Sequence, residues 1–84
     1  MADLFTPLEM GRLTLPNRIL MAPMTRCRAE RDGTPTPIMA EYYAQRASSG
    51  LIITEATAVA PEGIGYIYTP GIWNDRQQAA WQHV

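Results

Sequence analysis

Ile19-Leu20-Met21-Ala22 and Leu51-Ile52-Ile53-Thr54 are the two stretches whose reading decides the fold. Neither alternates apolar with polar residues. A short continuous apolar run between chain breakers suits a strand buried on both faces, as in a parallel sheet. Pro23 closes the first run and Gly50 opens the second. Between them the sequence predicts a helix over 36–48. Thr36 can cap the free N–H groups, and Pro37 fits the first helical position, where a missing N–H costs nothing. Met39, Tyr43 and Ala47 recur every four residues, with Ile38 and Tyr42 beside them, giving one buried stripe. Ser48-Ser49-Gly50 ends it, with Gly50 where a left-handed backbone is often needed.

Outward from this unit, Leu8-Glu9-Met10 and Leu13-Thr14-Leu15 alternate around Gly11-Arg12 and read as a hairpin over 8–15. The two buried strands are expected over 19–24 and 51–55. Residues 26–35 are polar and read as a loop, and residues 58–72 as a second loop, rich in Gly, Pro and Tyr. Asn74 with Gln77 has capping-box spacing, and Gln77, Ala80, Trp81 and Val84 begin a second amphipathic helix from 74. Strand–helix–strand with buried-type strands implies a right-handed crossover. Two such strands leave open edges, and the last helix is cut at Val84. The expected class is therefore α/β: the first quarter of a (β/α)8 TIM barrel, a fold of about 250 residues, preceded by a β-hairpin. The whole of 1–84 is expected to be the N-terminal part of that one domain.

The 84 residues carry a net charge of −1, which gives no electrostatic case for nucleic acid or an anionic membrane. The longest apolar run is four residues, Ile19 to Ala22, far short of a bilayer span. Met1-Ala2-Asp3-Leu4 has no leader pattern, so a cytoplasmic location is the expectation. Cys27 is the single cysteine and can form neither an internal disulfide nor a structural zinc site, so no metal site is expected.

In a barrel of this kind, chemistry sits where strands hand over to loops. The two handovers are Ala22-Pro23-Met24-Thr25-Arg26 and Thr54-Glu55-Ala56-Thr57. Pro23 stiffens the strand end, Thr25 offers a hydroxyl, and Ala56 is small enough for a flat ligand to approach its backbone. An apolar wall from Pro23 and Met24 with those two contacts suits a planar aromatic cofactor. A bland reading, with Thr25 in a turn and Ala56 merely packing, stays open on spacing alone. Glu55 follows a buried strand and needs a partner; Arg18 and Arg46 are the candidates. Trp73 and Trp81 read as core, and His83 as a helix-surface residue.

Leu4-Phe5-Thr6-Pro7-Leu8, Leu15-Pro16-Asn17-Arg18 and Met21-Ala22-Pro23-Met24-Thr25-Arg26 together resemble the opening of the Old Yellow Enzyme family. Pro35-Thr36-Pro37 with Tyr42-Tyr43-Ala44-Gln45-Arg46-Ala47 resembles its first barrel helix, and Gly50 to Thr57 its second strand. Gly65-Tyr66 and Pro70-Gly71-Ile72-Trp73 resemble the loop that follows. The resemblance covers almost the whole chain in order.

It implies a barrel that binds FMN non-covalently and passes hydride from NADPH or NADH to an activated C=C bond such as an enone. By position, it implies that Pro23, Met24, Thr25 and Ala56 contact the flavin, and that Tyr66 lines the substrate pocket, with Tyr68 able to take that role. Thr25 stands where one branch of the family has a flavin-contacting cysteine, which places the chain nearer the classical branch and leaves Cys27 a packed thiol. The family's catalytic His/Asn pair and tyrosine acid lie later in its chains, so no catalytic residue is expected here. The remaining barrel, expected as a second chain, and a small alkene are the implied partners. Two alternatives stay open: an FMN barrel of the dienoyl-CoA reductase kind, and a non-catalytic piece that only completes a partner's fold.

Overall fold

The structure, a computed structural model, describes residues 3–84. Met1 and Ala2, which open the stretch read above for a leader, lie outside the described residues. The hairpin forms as the alternation predicts. Strand β1 (Leu8–Met10) pairs antiparallel with β2 (Leu13–Leu15), with Leu8 opposite Leu15 and Met10 opposite Leu13. Gly11 turns it at φ +60°, a left-handed backbone that glycine adopts without a Cβ clash. Leu15 is the hairpin residue that reaches the core.

The crossover unit is also present. Strand β3 (Leu20–Met21) lies parallel to β4 (Leu51–Ile52), Leu20 beside Leu51 and Met21 beside Ile52, joined by helix α1 (Pro37–Ala44). All three elements are shorter than the sequence patterns, and the strands expected to be buried on both faces are not buried here: Ile19, Leu20 and Ile53 are exposed and Met21, Leu51 and Ile52 half-buried, because two strands and one helix cover too little of the sheet. Backbone hydrogen bonds from Gly50 N–H to Ile19 C=O (2.8 Å) and from Ile53 N–H to Met21 C=O (3.1 Å) extend the pairing by one step at each end. Beyond Ile53 the second strand runs on unpaired. Met39 and Tyr43 are the buried stripe of α1, while Ile38 stands exposed and residues 45–48 unwind into turns. The Thr36 hydroxyl donates to the carbonyl of Arg28 (2.7 Å), tying the start of α1 to the loop before it.

Gly50 is required for a different reason than the one expected. Its φ is not left-handed; a Cβ there would collide with the backbone carbonyl of Asn17. Asn17 also donates from Nδ2 to the Ser48 carbonyl (2.8 Å) and accepts from Ile19 N–H (3.0 Å). The approach to β3 and the approach to β4 are thus pressed together, and only hydrogen fits between them.

After β4 the loop makes one 3-10 turn (Pro61–Gly63) and folds back through a parallel bridge between Ala58 and Gly71. Helix α2 (Asp75–Trp81) follows; it is not cut at Val84 as expected but ends at Trp81, with Gln82 as its C-cap and turns after it. Asn74 caps it as predicted, its Oδ1 accepting from Gln77 N–H at 2.9 Å. The Gln77 side chain does not return to the cap residue, however. It is fully buried, accepts from Trp73 N–H (2.8 Å) and donates to the Asp32 carbonyl (3.0 Å), which docks loop 30–35 onto α2. Trp73 and Trp81 are half-buried rather than core; the Trp81 indole donates to the Gly71 carbonyl (3.0 Å). Among the described residues no helix is long and apolar enough to cross a membrane, and no three metal-ligating side chains gather.

Candidate functional site

The two strand exits lie side by side because β3 and β4 are parallel neighbours, so both chains leave the sheet in the same direction. Between them is a cavity of about 200 Å³ lined by Thr25 from the first exit, Ala56, Thr57 and Ala58 from the second, and Gly63, Gly65, Tyr66 and Thr69 from the returning loop. Thr25, Ala56 and Tyr66, distant in sequence, are brought together here. Pro23 and Met24 stand on the same exit outside that lining, with Met24 45% exposed.

In the sequence, Thr57 and Gly65 stand out only as members of the quoted stretches, and Ala58, Gly63 and Thr69 not as site residues at all. The signal that could have found all but Thr69 is the recurrence of small residues among 57–65 (Thr57, Ala58, Ala60, Gly63, Gly65), since small side chains let a ligand reach the backbone; nothing marks Thr69. Tyr68 is not part of the lining; its carbonyl accepts from Ala29 N–H (3.0 Å), and its backbone is left-handed at φ +56°. Cys27, on the loop that Ala29 belongs to, is left-handed at φ +55° and half-buried. Non-glycine residues hold this conformation only where surrounding contacts impose it. Both loops flanking the cavity therefore carry backbone strain.

Glu55 corrects the expected ion pair. Arg18 spends its Nη2 on the Pro7 carbonyl (3.1 Å), and Arg46 donates to the Tyr42 carbonyl (3.0 Å) with its guanidinium 4.0 Å from the Tyr42 ring. The partner of Glu55 is Tyr43, whose hydroxyl donates to Glu55 Oε2 at 2.7 Å and accepts from Glu55 N–H at 3.0 Å. The physical reason is position: Tyr43 lies on the buried stripe of α1 facing the strand. A neutral phenol also costs less to bury than a guanidinium. Burial and the bond to Glu55 push the Tyr43 hydroxyl up to about 12.

The cavity offers hydrogen-bond donors that nothing uses. Among the described residues, neither the Thr25 hydroxyl nor the Ala56 N–H makes an intramolecular hydrogen bond. The Thr57 and Thr69 hydroxyls are already spent on the carbonyls of Glu55 (2.9 Å) and Tyr66 (2.8 Å). Two free donors, a floor of small residues and one tyrosine ring suit the polar edge and flat face of a heterocycle. The residues present therefore fit a flavin ring.

Residues 3–84 match the family model described as NADH:flavin oxidoreductase / NADH oxidase family. The chain belongs to that family, the Old Yellow Enzyme family of the resemblance above. It is 57% identical to a chanoclavine-I aldehyde reductase of Penicillium roqueforti, over 100% of this chain and 23% of that protein. Among solved structures, the Old Yellow Enzyme homologue from Zymomonas mobilis superposes with a TM-score of 0.93 at 60% identity, covering 96% of this chain and 23% of that one. Morphinone reductase in complex with tetrahydroNAD superposes with a TM-score of 0.93 at 54% identity, covering 99% and 23%. The chain thus spans about a quarter of the length of the relatives it matches.

Proposed function

We propose that this chain is the first quarter of a (β/α)8 barrel that reduces activated C=C bonds with NAD(P)H through non-covalently bound FMN, and that it supplies one wall of the flavin site. The observation that carries this reading is the convergence of Thr25, Ala56 and Tyr66 on one cavity at the carboxyl ends of two parallel strands. Bound FMN supplies hydride transfer between a nicotinamide and the alkene. The residues of this chain bind and orient. The Thr25 hydroxyl donates to the polar edge of the ring and favours negative charge there, which raises the potential at which the ring accepts electrons. The Ala56 backbone N–H gives a second donor, and the absence of a larger side chain lets the ring lie close. Pro23 and Met24 form the apolar side of the strand exit, and Tyr66, on the returning loop, would line the substrate side of the cavity. The remainder of the barrel, as a second chain or a continuation, supplies the acid–base groups.

The experiment is a graft. This chain replaces the matching segment of the Zymomonas mobilis homologue, and is also expressed alone and together with the remainder of that barrel. The graft is expected to be yellow and to reduce an enone with NADPH or NADH, and the chain alone to be colourless. A folded graft that binds no FMN sinks the flavin reading. A yellow, active chain alone sinks the claim that it supplies only one wall.

A further inference from the structure

Glu55 and Ala56 point to opposite sides of the strand exit, as successive residues of an extended chain must. Ala56 lines the candidate flavin cavity. Glu55 turns behind it toward α1 and is 2% exposed, at the edge of a separate cavity of about 280 Å³ that Arg26, Arg28 and Tyr42 also line. What fixes Ala56 in space is therefore not the sheet. The last backbone pairing of this strand is Ile53 N–H to Met21 C=O, three residues earlier.

Between that pairing and the Ala58–Gly71 bridge, two residues beyond Ala56, two side-chain hydroxyls do the holding. The Tyr43 hydroxyl grips the Glu55 side chain (2.7 Å) and the Glu55 N–H (3.0 Å) together, and the Thr57 hydroxyl donates to the Glu55 carbonyl (2.9 Å). Both polar groups of the Glu55 backbone are thus fixed by side chains. The larger anchor comes from a helix residue only 5% exposed, with no direct access to the site.

We propose that Tyr43 is a positioning residue for the flavin: acting through Glu55, it sets where the Ala56 backbone meets the ring. This rests on the flavin reading above. A hydroxyl that grips a side chain and the backbone N–H of the same residue fixes that residue's Cα, the point from which the peptide leading to Ala56 departs, while the Thr57 hydroxyl holds the carbonyl of that peptide. A donor placed a few tenths of an ångström off loses much of its hydrogen-bond energy.

The test uses the graft in the Zymomonas mobilis homologue and the variant Tyr43→Phe, which keeps the ring and removes the hydroxyl. Four readouts are taken: FMN dissociation constant, flavin visible spectrum, flavin midpoint potential, and amide exchange of residues 54–58 in the apoprotein. Loss of the grip is expected to raise the FMN dissociation constant about tenfold, the scale of one well-made hydrogen bond. It should also shift the flavin band and potential, and speed exchange at 54–58 more than elsewhere. A Tyr43→Phe protein that melts earlier but keeps FMN affinity within about twofold, with an unshifted band and potential, has lost only a structural contact, and the proposal is overturned.

Should Tyr43→Phe give no folded protein, Glu55→Ala and Glu55→Gln answer instead. Glu55→Ala keeps the N–H bond but loses the side-chain half, and should weaken FMN about threefold. Glu55→Gln keeps an acceptor for the hydroxyl and should stay within about twofold. Equal losses in the two variants, or no loss in either, overturn the proposal. A parental graft that binds no FMN is a separate outcome, and it removes the flavin reading itself.

Discussion

Gln77 and Glu55 are buried almost equally, at 0% and 2% exposure, yet their surroundings are built differently. Around Gln77 the hydrogen bonds close within the segment: its backbone N–H, its carbonyl oxygen and its amide nitrogen find Asn74, Trp73 and Asp32. Around Glu55 they do not. Oε2 has Tyr43, while Oε1 is buried with no partner among the described residues. A buried carboxylate oxygen without a donor costs about 1–3 kcal/mol or more, so such a group persists where something else is served by it. The first region is a finished joint between a loop and a helix. The second stands behind the candidate site wall, with one carboxylate oxygen unpaired among the described residues. The α2 joint is closed on itself, whereas the strand exits present unused donors to the candidate cavity.

The sharpest way to break this contrast is to open the finished joint. Gln77→Ala leaves the Trp73 N–H and Asp32 carbonyl unpartnered and creates a cavity under loop 30–35. It should cost about 3 kcal/mol, read by urea unfolding of the grafted barrel. A loss below about 1 kcal/mol would mean the joint is not what holds α2. Gly33→Ala probes the same joint from the other side. Gly33 sits at φ +83°, and a Cβ there would lie 3.0 Å from Gln77 Nε2 and 3.2 Å from the Trp73 ring. The strained backbone and the crowding together should cost about 2 kcal/mol, with the flavin spectrum unchanged because the site is elsewhere.

Tyr43 sharpens the comparison through pH. Burial first, and the bond to Glu55 second, raise its hydroxyl from 10.0 to about 12. A group bound more tightly to its proton in the folded state contributes stability that is complete below its unfolded value. That contribution is lost as pH rises toward and through the folded value. Stability of the parental protein should therefore fall between about pH 10 and pH 12, and Tyr43→Phe should flatten that limb. At neutral pH the same variant should lose about 1 kcal/mol, the net worth of one hydrogen bond. An alkaline limb of equal slope in both proteins would show that Tyr43 is not the titrating group.

Much of the framework was legible beforehand because it rests on local rules. The hairpin followed from alternation around Gly11, the crossover from two apolar runs flanking a helix with Pro37 at its first position, and the α2 cap from the Asn74–Gln77 spacing. What sequence misjudged depended on groups meeting from afar. Gly50 was read for backbone handedness, whereas it answers to the Asn17 carbonyl thirty-three positions earlier. Glu55 was paired with arginine on charge alone, although the buried stripe of α1 presents a tyrosine. Of the candidate site, Thr25, Ala56 and Tyr66 could be named from the resemblance. Which of the aromatic and small loop residues share their cavity could not, because that is settled by how residues 58–71 fold back, and no periodicity encodes it.

The smallest effect belongs to the charges that decorate the finished joint. Arg76 bridges Glu30 at 2.9 Å and Asp32 at 3.2 Å, spanning the same loop-to-helix junction that Gln77 holds from within. All three side chains are half-exposed or more, at 67%, 49% and 52%. Solvent and salt screen such pairs, and ordering a long arginine side chain offsets part of the gain. Arg76→Ala should therefore cost no more than about 0.5–1 kcal/mol in low salt and nearly nothing at about 1 M salt, whereas the Gln77→Ala loss should not change with salt. If Arg76→Ala instead matched Gln77→Ala and kept its size in high salt, the joint would be held by its surface, and the contrast between a buried, closed network and an exposed, dispensable one would fail.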